Sequence, residues 1–195
     1  MPEQEYIYQD RIIAFIDVLG YREKLKEFQD TAVLKEIEGT EVLVSPKVNE
    51  FVNTFKAAIA PLDDKNIRYY LFSDNICIAV DHIENPHLTI ELLFTINELF
   101  HAFAQKGYFL RGAMETGKFI DEKMIALGVP LSAAYLAETT KAVYPRILIS
   151  KGYYELIKDY LSGPGTGRYP FTINNHLIYK SCELYYLNVF YHVFM

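Results

Sequence analysis

Two aspartates stand where short apolar segments end in turns. Asp17 follows the run RIIAFI and precedes Val18-Leu19-Gly20, and Asp74 lies in the middle of RYYLFSDNICIAVD, residues 68–81. An aspartate in a turn is ordinary, because its side chain bonds nearby backbone amides. If the fold brings both carboxylates together, however, their repulsion favours a shared cation. Carboxylate oxygens select hard ions such as Mg²⁺ or Mn²⁺.

The turn after Asp17 adds a second chemical feature. Val18-Leu19-Gly20-Tyr21 leads directly into a helical segment, and the unpaired N–H groups in the first turn of a helix attract phosphate. A triphosphate bridged by metal ions is the natural ligand of such a turn beside two carboxylates. The alternative is that Asp17 only caps the helix that follows, since aspartate is a favoured cap.

Composition limits the function classes. The chain has 195 residues, 51% hydrophobic and 23% charged, which fits one globular domain with a substantial core. Its net charge of −6 argues against a nucleic-acid partner, because such proteins neutralise phosphates with a basic face. The two cysteines, Cys77 and Cys182, predict neither a disulfide framework nor a zinc site.

No segment indicates export or membrane insertion. The beginning of the chain, MPEQEYIYQDR, lacks the basic and then apolar layout of a signal peptide. No apolar run approaches the roughly 18 residues of a membrane span. We therefore expect a cytoplasmic protein without stable membrane insertion.

Hydrophobic periodicity and turn residues predict an alternation of strands and helices. The first half is predicted to hold a strand over 11–18, a helix over 21–30, a helix over 44–62, a hairpin over 68–81 and a long helix between Asn85-Pro86 and Gly107. The second half is predicted to hold strands over 108–119 and 123–129, a helix over 130–143, a strand over 144–150, a helix over 151–161 and a loop over 162–167 before a terminal strand pair. Residues 31–40 receive no element. Gly112, inside the strand over 108–119, predicts a close approach of two backbones.

The order of these elements predicts the fold class. It is an α+β fold with a ferredoxin-like βαββαβ core followed by a C-terminal β-α-β extension. Residues 1–195 form a single domain, with the core over about 10–150 and a C-terminal helix and strands over 151–195. Right-handed crossovers place the first strand antiparallel to the second strand of the hairpin. Asp17 and Asp74 should therefore meet at one edge of the sheet.

The motifs at these positions resemble those of class III nucleotidyl cyclases. AFIDVLGY is similar to the first-strand motif of that family, and FSDNICIAV resembles its metal-binding hairpin. FLRGAMETGKF and GVPLSAAYLAETTKAVYPRILIS extend the likeness, which spans about residues 10–150. Their combination is most similar to the bacterial pyrimidine cyclases of the Pycsar antiphage systems.

The resemblance implies a lyase that converts UTP or CTP into a 3′,5′-cyclic monophosphate, cUMP or cCMP, and pyrophosphate. It implies a homodimer with active sites at the interface, two Mg²⁺ or Mn²⁺ ions per site, and a downstream effector protein in antiviral defence. The metal ligands would be Asp17, Asp74 and the backbone carbonyl of Val18. The nucleotide would contact Val18, Leu19, Gly20, Tyr21 and Tyr135.

The chain departs from the purine cyclases of the family at one helix. Those enzymes carry an Asn and, four positions later, an Arg that stabilise the transition state, whereas this chain has Ser132 and Leu136 at that spacing. Neither role transfers, which favours a pyrimidine over a purine substrate. Three cations are candidates for the missing charge: Arg111 and Lys118, which we place among the catalytic residues, and Arg146.

Several residues have two interpretations from sequence alone. Tyr135 either packs in a core or interface or contacts the base. Glu138 either orients Tyr135 or a neighbouring amide, or faces water. Phe51 and Phe55 form a core face or flank a base. The function is correspondingly open between an active cyclase and an inactive cyclase-fold domain that dimerises and binds nucleotide as a sensor or scaffold. RNA binding fits the many aromatics but not the acidic charge.

Overall fold

One mixed β-sheet with helices on both faces organises the chain. It is seen in a computed structural model that describes residues 5–60, 66–122, 125–162 and 177–190. Within these ranges the helices are α1 (Tyr21–Asp30), α2 (Pro46–Ile59), α3 (Leu88–Gln105), α4 (Val129–Lys141) and α5 (Lys151–Ile157). The strands are β1 (Gln9–Leu19), β2 (Val33–Ile37), β3 (Thr40–Val44), β4 (Ile67–Phe72), β5 (Asn75–Val80), β6 (Phe109–Glu122), β7 (Ile125–Gly128), β8 (Ile147–Ile149), β9 (Ile178–Ser181) and β10 (Leu184–Leu187).

The strand order confirms the predicted core. The main sheet runs β4-β5-β1-β6-β8-β10-β9, and β7 pairs with β6. Its first four strands have the ferredoxin-like arrangement, with β1 between β5 and β6 and antiparallel to both. Strand β8 continues the sheet parallel to β6, and β10 and β9 then form the predicted terminal pair. The C-terminal extension is therefore part of the same sheet.

Strand β1 is apolar on both faces because helices cover both sides of the sheet. Ile12, Ala14 and Ile16 point into the larger core, which α2 and α3 line. Ile13 and Phe15 point to the opposite face, where α4 packs. Since side chains alternate along a strand, Asp17 continues the row of Ile13 and Phe15 on the α4 face.

Residues 33–44 differ from the sequence-based expectation. This stretch, most of which received no element, forms the hairpin β2–β3, which pairs with no other described strand. Its two-residue turn is Glu38-Gly39, and both residues have positive φ, 52° and 76°. Turns of this kind match the twist of the strands that they join, so the Glu-Gly pair was the signal that periodicity missed.

Other predicted elements agree with the structure within a few residues. The helix predicted over 44–62 begins at Pro46, with the Ser45 side chain accepting a hydrogen bond from Val48 N at 3.3 Å. Pro61, the loop at Asp63 and Asp64, and residues 163–167 lie outside the described residues. In the described part of the chain, no helix has the length and apolar character needed to cross a membrane.

Gly112 is the predicted point of close approach. It lies opposite Ile16 in the β1–β6 register, and a Cβ atom at this position would stand 2.4 Å from the carbonyl oxygen of Phe15. That oxygen belongs to the backbone and cannot rotate away. Glycine is therefore required here for β1 and β6 to pair at the position next to Asp17.

We expect Gly112→Ala to lower the free energy of unfolding by about 2–3 kcal/mol, because the strands must separate to admit the methyl group. Urea denaturation measures the change. Gly152→Ala is the matched control inside helix α5: its Cβ would meet two side-chain oxygens, that of Thr116 at 3.0 Å and that of Ser150 at 3.9 Å, and no backbone atom from outside the helix within 4 Å. Equal stability of Gly112→Ala and the wild type would contradict the close packing.

Candidate active site

The pairing of β1 with β5 brings Asp17 and Asp74 together. Asp17 lies opposite Asn75 in the register, and the backbone N–H of Val18 donates to the carbonyl oxygen of Asp74 at 3.1 Å. Asp74 is in the two-residue turn between β4 and β5, after Ser73 with a φ of 58°. The strand β1 runs two residues beyond Asp17, to Leu19. Both aspartates thus lie where the strand and the hairpin end on the same edge.

The electrostatics of Asp17 reflect this proximity. Its side chain is only 13% exposed, and burial raises the pKa of its carboxyl above the usual range. The Arg111 guanidinium opposes that rise in pKa, and the charge of Asp74 adds to it. The two carboxylates therefore repel each other when no cation other than Arg111 is present.

Arg111 lies between two carboxylates. Its Nε is 2.9 Å from Oδ2 of Asp17, which faces it across the β1–β6 pair, and 2.5 Å from Oε1 of Glu138 on α4. The single Nε–H donates to Asp17, so the contact with Glu138 is an ion pair without a directed hydrogen bond. Glu138 is 2% exposed, and burial raises its pKa while Arg111 lowers it. Glu138 therefore neither faces water nor orients Tyr135; its partner is Arg111.

The turn over residues 18–21 presents backbone rather than side chains. Val18 is buried in the larger core, so only its main chain can contact a ligand. Leu19 is half-buried at the end of β1, and Gly20 follows as the N-cap of α1 with a φ of 72°. No side chain caps α1. The alternative in which Asp17 only caps this helix is therefore wrong, and the first-turn N–H groups carry no side-chain acceptor.

Tyr21 begins α1 and turns its ring inward. It packs edge-on against Phe28, with 6.0 Å between ring centroids, and in a tilted arrangement against Phe51 at 5.8 Å. Burial raises the pKa of its hydroxyl, and the charge of Asp74 raises it further. Phe51 and Phe55 are buried in the core, as the core-face interpretation predicts, and Phe51 also lines a pocket that Tyr21 and Ser73 border.

A groove of about 380 Å³ opens beside the hairpin turn, on the face that α4 covers. Its walls include Phe15, Phe72, Asn75, Ser132 and Tyr135. Tyr135 is 54% exposed and meets Phe15 edge-on at 5.6 Å, so it is not a core residue of the described chain. Asn75 connects the groove to the carboxylates, because its Nδ2 donates to Oδ1 of Asp74 at 3.0 Å.

The other two candidate cations lie elsewhere. The Lys118 Nζ pairs with Oδ2 of Asp10 at 2.8 Å, seven positions along β6 from Arg111. In an extended strand that spacing is about 23 Å. The guanidinium of Arg146 donates to the carbonyl of Lys141 at 2.5 Å and so caps the C-terminus of α4. Of the three, Arg111 is the one that the structure places against Asp17.

The donor set fits a hard divalent ion held jointly with a substrate. In the described ranges, no group of three or more His, Cys, Asp or Glu side chains is close enough to hold a metal. The protein would supply the carboxylates of Asp17 and Asp74 and the carbonyl of Val18. Mg²⁺ is typically bound through one or two carboxylates, with phosphate oxygens and water completing its shell. The close pair of carboxylates beside an uncapped helix turn has this character.

The chain has the fold of the class III adenylyl and guanylyl cyclase catalytic domains. The monomeric guanylyl cyclase domain of the RhoGC fusion protein from Blastocladiella emersonii superposes with a TM-score of 0.63 at 10% identity, over 94% of this chain and 98% of that one. The adenylate/guanylate cyclase/hydrolase from Silicibacter pomeroyi gives 0.53 at 17% identity, over 82% and 86%. The adenylyl cyclase CyaB from P. aeruginosa gives 0.51 at 16% identity, over 80% and 84%. No protein-family model and no curated protein sequence matches the chain.

We expect Arg111→Gln to destabilise the metal-free protein in a pH-dependent way. Burial raises the pKa of Glu138 in the folded state, so ionisation of this carboxyl lowers the free energy of unfolding. This loss is absent below the pKa that Glu138 has in the unfolded chain, and it grows as pH rises through the pKa that Glu138 has in the folded chain. Arg111 offsets the cost. Without it, the free energy of unfolding should fall by about 2 kcal/mol near pH 8, a value discounted for the partial exposure of Arg111.

The measurement is urea denaturation in the presence of EDTA at several pH values. The loss should shrink as pH falls toward the ordinary glutamate pKa of about 4.3, because a carboxyl with a raised pKa takes up its proton at higher pH than a free glutamate does. Lys118→Gln is the matched control, since it removes a cation from the same strand at an exposed ion pair. A loss independent of pH would show that Arg111 acts through packing alone.

Proposed function

We propose that the protein is a metal-dependent nucleotidyl cyclase that converts UTP or CTP into the 3′,5′-cyclic monophosphate and pyrophosphate. The observation that carries the proposal is the convergence of Asp17 and Asp74 beside the uncapped first turn of α1. Two carboxylates and an exposed row of backbone N–H groups are complementary to the metal ions and the phosphates of one nucleotide. The cyclase fold provides the framework for that reaction.

Each group of the site has a role in this reaction. Asp17, Asp74 and the Val18 carbonyl would hold two Mg²⁺ or Mn²⁺ ions, which when bound favour loss of the ribose 3′-hydroxyl proton and stabilise charge on the triphosphate. The backbone of Leu19, Gly20 and Tyr21 orients the phosphates at the start of α1. No covalent intermediate with the protein is required for an in-line displacement.

The groove beside Asn75 supports a pyrimidine substrate. Phe15, Phe72 and Tyr135 supply flat apolar surfaces for a single-ring base, and Asn75 and Ser132 supply polar groups at its rim. A side-chain amide both donates and accepts hydrogen bonds, which suits the edge of uracil or cytosine. The Asn and Arg of purine cyclases are replaced by Ser132 and Leu136. Tyr135 is therefore assigned to the base, and Arg111 is the one of the three candidate cations that lies beside Asp17.

A second copy of the chain would cover the groove. Leu127, Val129, Tyr135 and Leu136 form an exposed apolar surface over the end of β7 and α4, next to the groove. Contiguous exposed apolar surface of this kind marks an interaction site. A homodimer that buries this surface places the active sites at the interface, as the sequence motifs imply.

The biological role follows from the motif resemblance. A cyclic pyrimidine nucleotide would serve as a second messenger for a downstream effector in antiphage defence. The competing proposal is an inactive domain of the same fold that binds nucleotide as a sensor or scaffold. It is favoured by Ser132 and Leu136, and by the ion pair that Arg111 forms with Asp17.

The decisive experiment incubates the protein with Mn²⁺ and each of the four nucleoside triphosphates and analyses the products by chromatography and mass spectrometry. We expect a cyclic pyrimidine monophosphate and pyrophosphate. Asp17→Asn or Asp74→Asn should lower kcat at least about a thousandfold, because the loss of a metal ligand removes about 4 kcal/mol of transition-state stabilisation. Asp10→Asn is the matched control on the same strand. Nucleotide binding without any product would favour the scaffold.

The proposed dimer interface on α4 can be tested separately from the reaction. Leu136→Glu should shift the protein from dimer to monomer in analytical ultracentrifugation and lower activity in parallel, because a charge cannot be buried at an apolar interface without a partner. Leu34→Glu on the β2–β3 hairpin is the matched control, since the two leucines are 61% and 68% exposed. A Leu136→Glu protein that remains a fully active dimer would contradict this interface.

A further inference from the structure

Arg111 contacts two carboxylates but donates a hydrogen bond to only one of them. One Nε–H faces two acceptors at 2.9 and 2.5 Å, and it can be directed at only one of them. It is directed at Asp17, which leaves Oε1 of Glu138 buried without a hydrogen bond. A buried carboxylate oxygen without a hydrogen-bond donor raises the free energy of the folded state. Glu138 can therefore accept a hydrogen bond from Arg111 whenever the guanidinium turns away from Asp17.

The framework around Arg111 fixes both acceptors. Asp17 is held by the β1–β6 register directly opposite Arg111, and Glu138 is held by the packing of α4 on β6. Of the three side chains, that of Arg111 has the most freedom to rotate, because it is long and partly exposed. A small rotation of the guanidinium therefore redirects its hydrogen bonds from one carboxylate to the other without movement of the backbone.

We propose that Arg111 takes the place of the metal ion when no ion is bound. It neutralises the Asp17 carboxylate in the metal-free protein, and its hydrogen bond moves from Asp17 to Glu138 when a divalent ion binds. This inference rests on the proposed metal site at Asp17 and Asp74. A cation beside Asp17 repels Arg111, and Glu138 accepts the released guanidinium in a buried ion pair that is then fully hydrogen-bonded. Arg111 and Glu138 are thus positioning residues that set the affinity for metal.

The exchange also explains why a buried glutamate lies beside an acidic site. Without Glu138, Arg111 would have Asp17 as its one strong acceptor in this cluster and would compete with every incoming ion. Without Arg111, the carboxylates of Asp17 and Asp74 would have no competing cation and would bind ions more strongly. The pair therefore tunes metal affinity in opposite directions, with Glu138 acting through Arg111.

The test measures binding of Mn²⁺ alone to the purified full chain, from the electron paramagnetic resonance signal of the free ion, without nucleotide. We expect Arg111→Gln to tighten the dissociation constant about tenfold and Glu138→Gln to weaken it about tenfold, the size expected for coupled neighbours. Lys118→Gln, which alters charge equally at the far end of β6, should leave the constant unchanged. Arg111→Lys, which keeps the charge, guards against loss of folding and should bind Mn²⁺ more weakly than Arg111→Gln.

The double variant Arg111→Gln/Glu138→Gln separates exchange from simple charge effects. If Glu138 acts through Arg111, the double variant binds Mn²⁺ as tightly as Arg111→Gln. If Glu138→Gln weakens binding by the same factor in both backgrounds, the exchange is overturned while the metal site stands. Absence of Mn²⁺ binding in the wild type and in Arg111→Gln overturns the metal site, and with it the proposed function. A crystal structure with Mn²⁺ in which Arg111 still donates to Asp17 would also overturn the exchange.

Discussion

The simultaneous pairing of β1 with β5 and β6 is the constraint on which the rest of the structure depends. Each residue of β1 near the site is fixed from two sides: Ile16 lies between Ile76 and Gly112, and Asp17 lies between Asn75 and Arg111. A slip of one residue would turn Asp17 toward the larger core and Ile16 toward α4. The apolar row on each face of β1 makes such a slip costly. The hydrophobic pattern of a buried strand therefore determines which charged groups meet at its end.

The charges at this end of the sheet are unbalanced, as the proposed metal site requires. Asp17, Asp74 and Glu138 carry three potential negative charges around Arg111, and burial raises the pKa of Asp17 and of Glu138. Sites that bind cations commonly keep such an imbalance, because it is relieved when the ion arrives. At the far end of β6, by contrast, Lys118 and Asp10 form an ordinary exposed pair. The β1–β6 pair therefore has one charge of each sign at the Lys118–Asp10 contact and an excess of negative charge at the Arg111 end.

The sequence predicted the sheet core and the meeting of Asp17 with Asp74, because both follow from periodicity, turn residues and the handedness of crossovers. It did not predict β2–β3, since alternation with few large apolar residues is weak and the Glu-Gly turn carried the signal. The pairing of Arg111 with Glu138 was also missed. It joins a strand and a helix through side chains, and the approach of α4 to β6 is set by packing that no single segment encodes. Asn75, next to Asp74 in the chain, was also missed, because the search for metal ligands considered carboxylates and did not consider side-chain amides.

The β2–β3 hairpin has a practical consequence. Its strands bond only to each other among the described elements, and it joins α1 to α2 in the chain. Such an appendage can be shortened, lengthened or labelled with little effect on the register of the central strands. A fluorophore attached at its tip, at Glu38 or Gly39, would therefore report tumbling and assembly while the pairing of β1 stays intact.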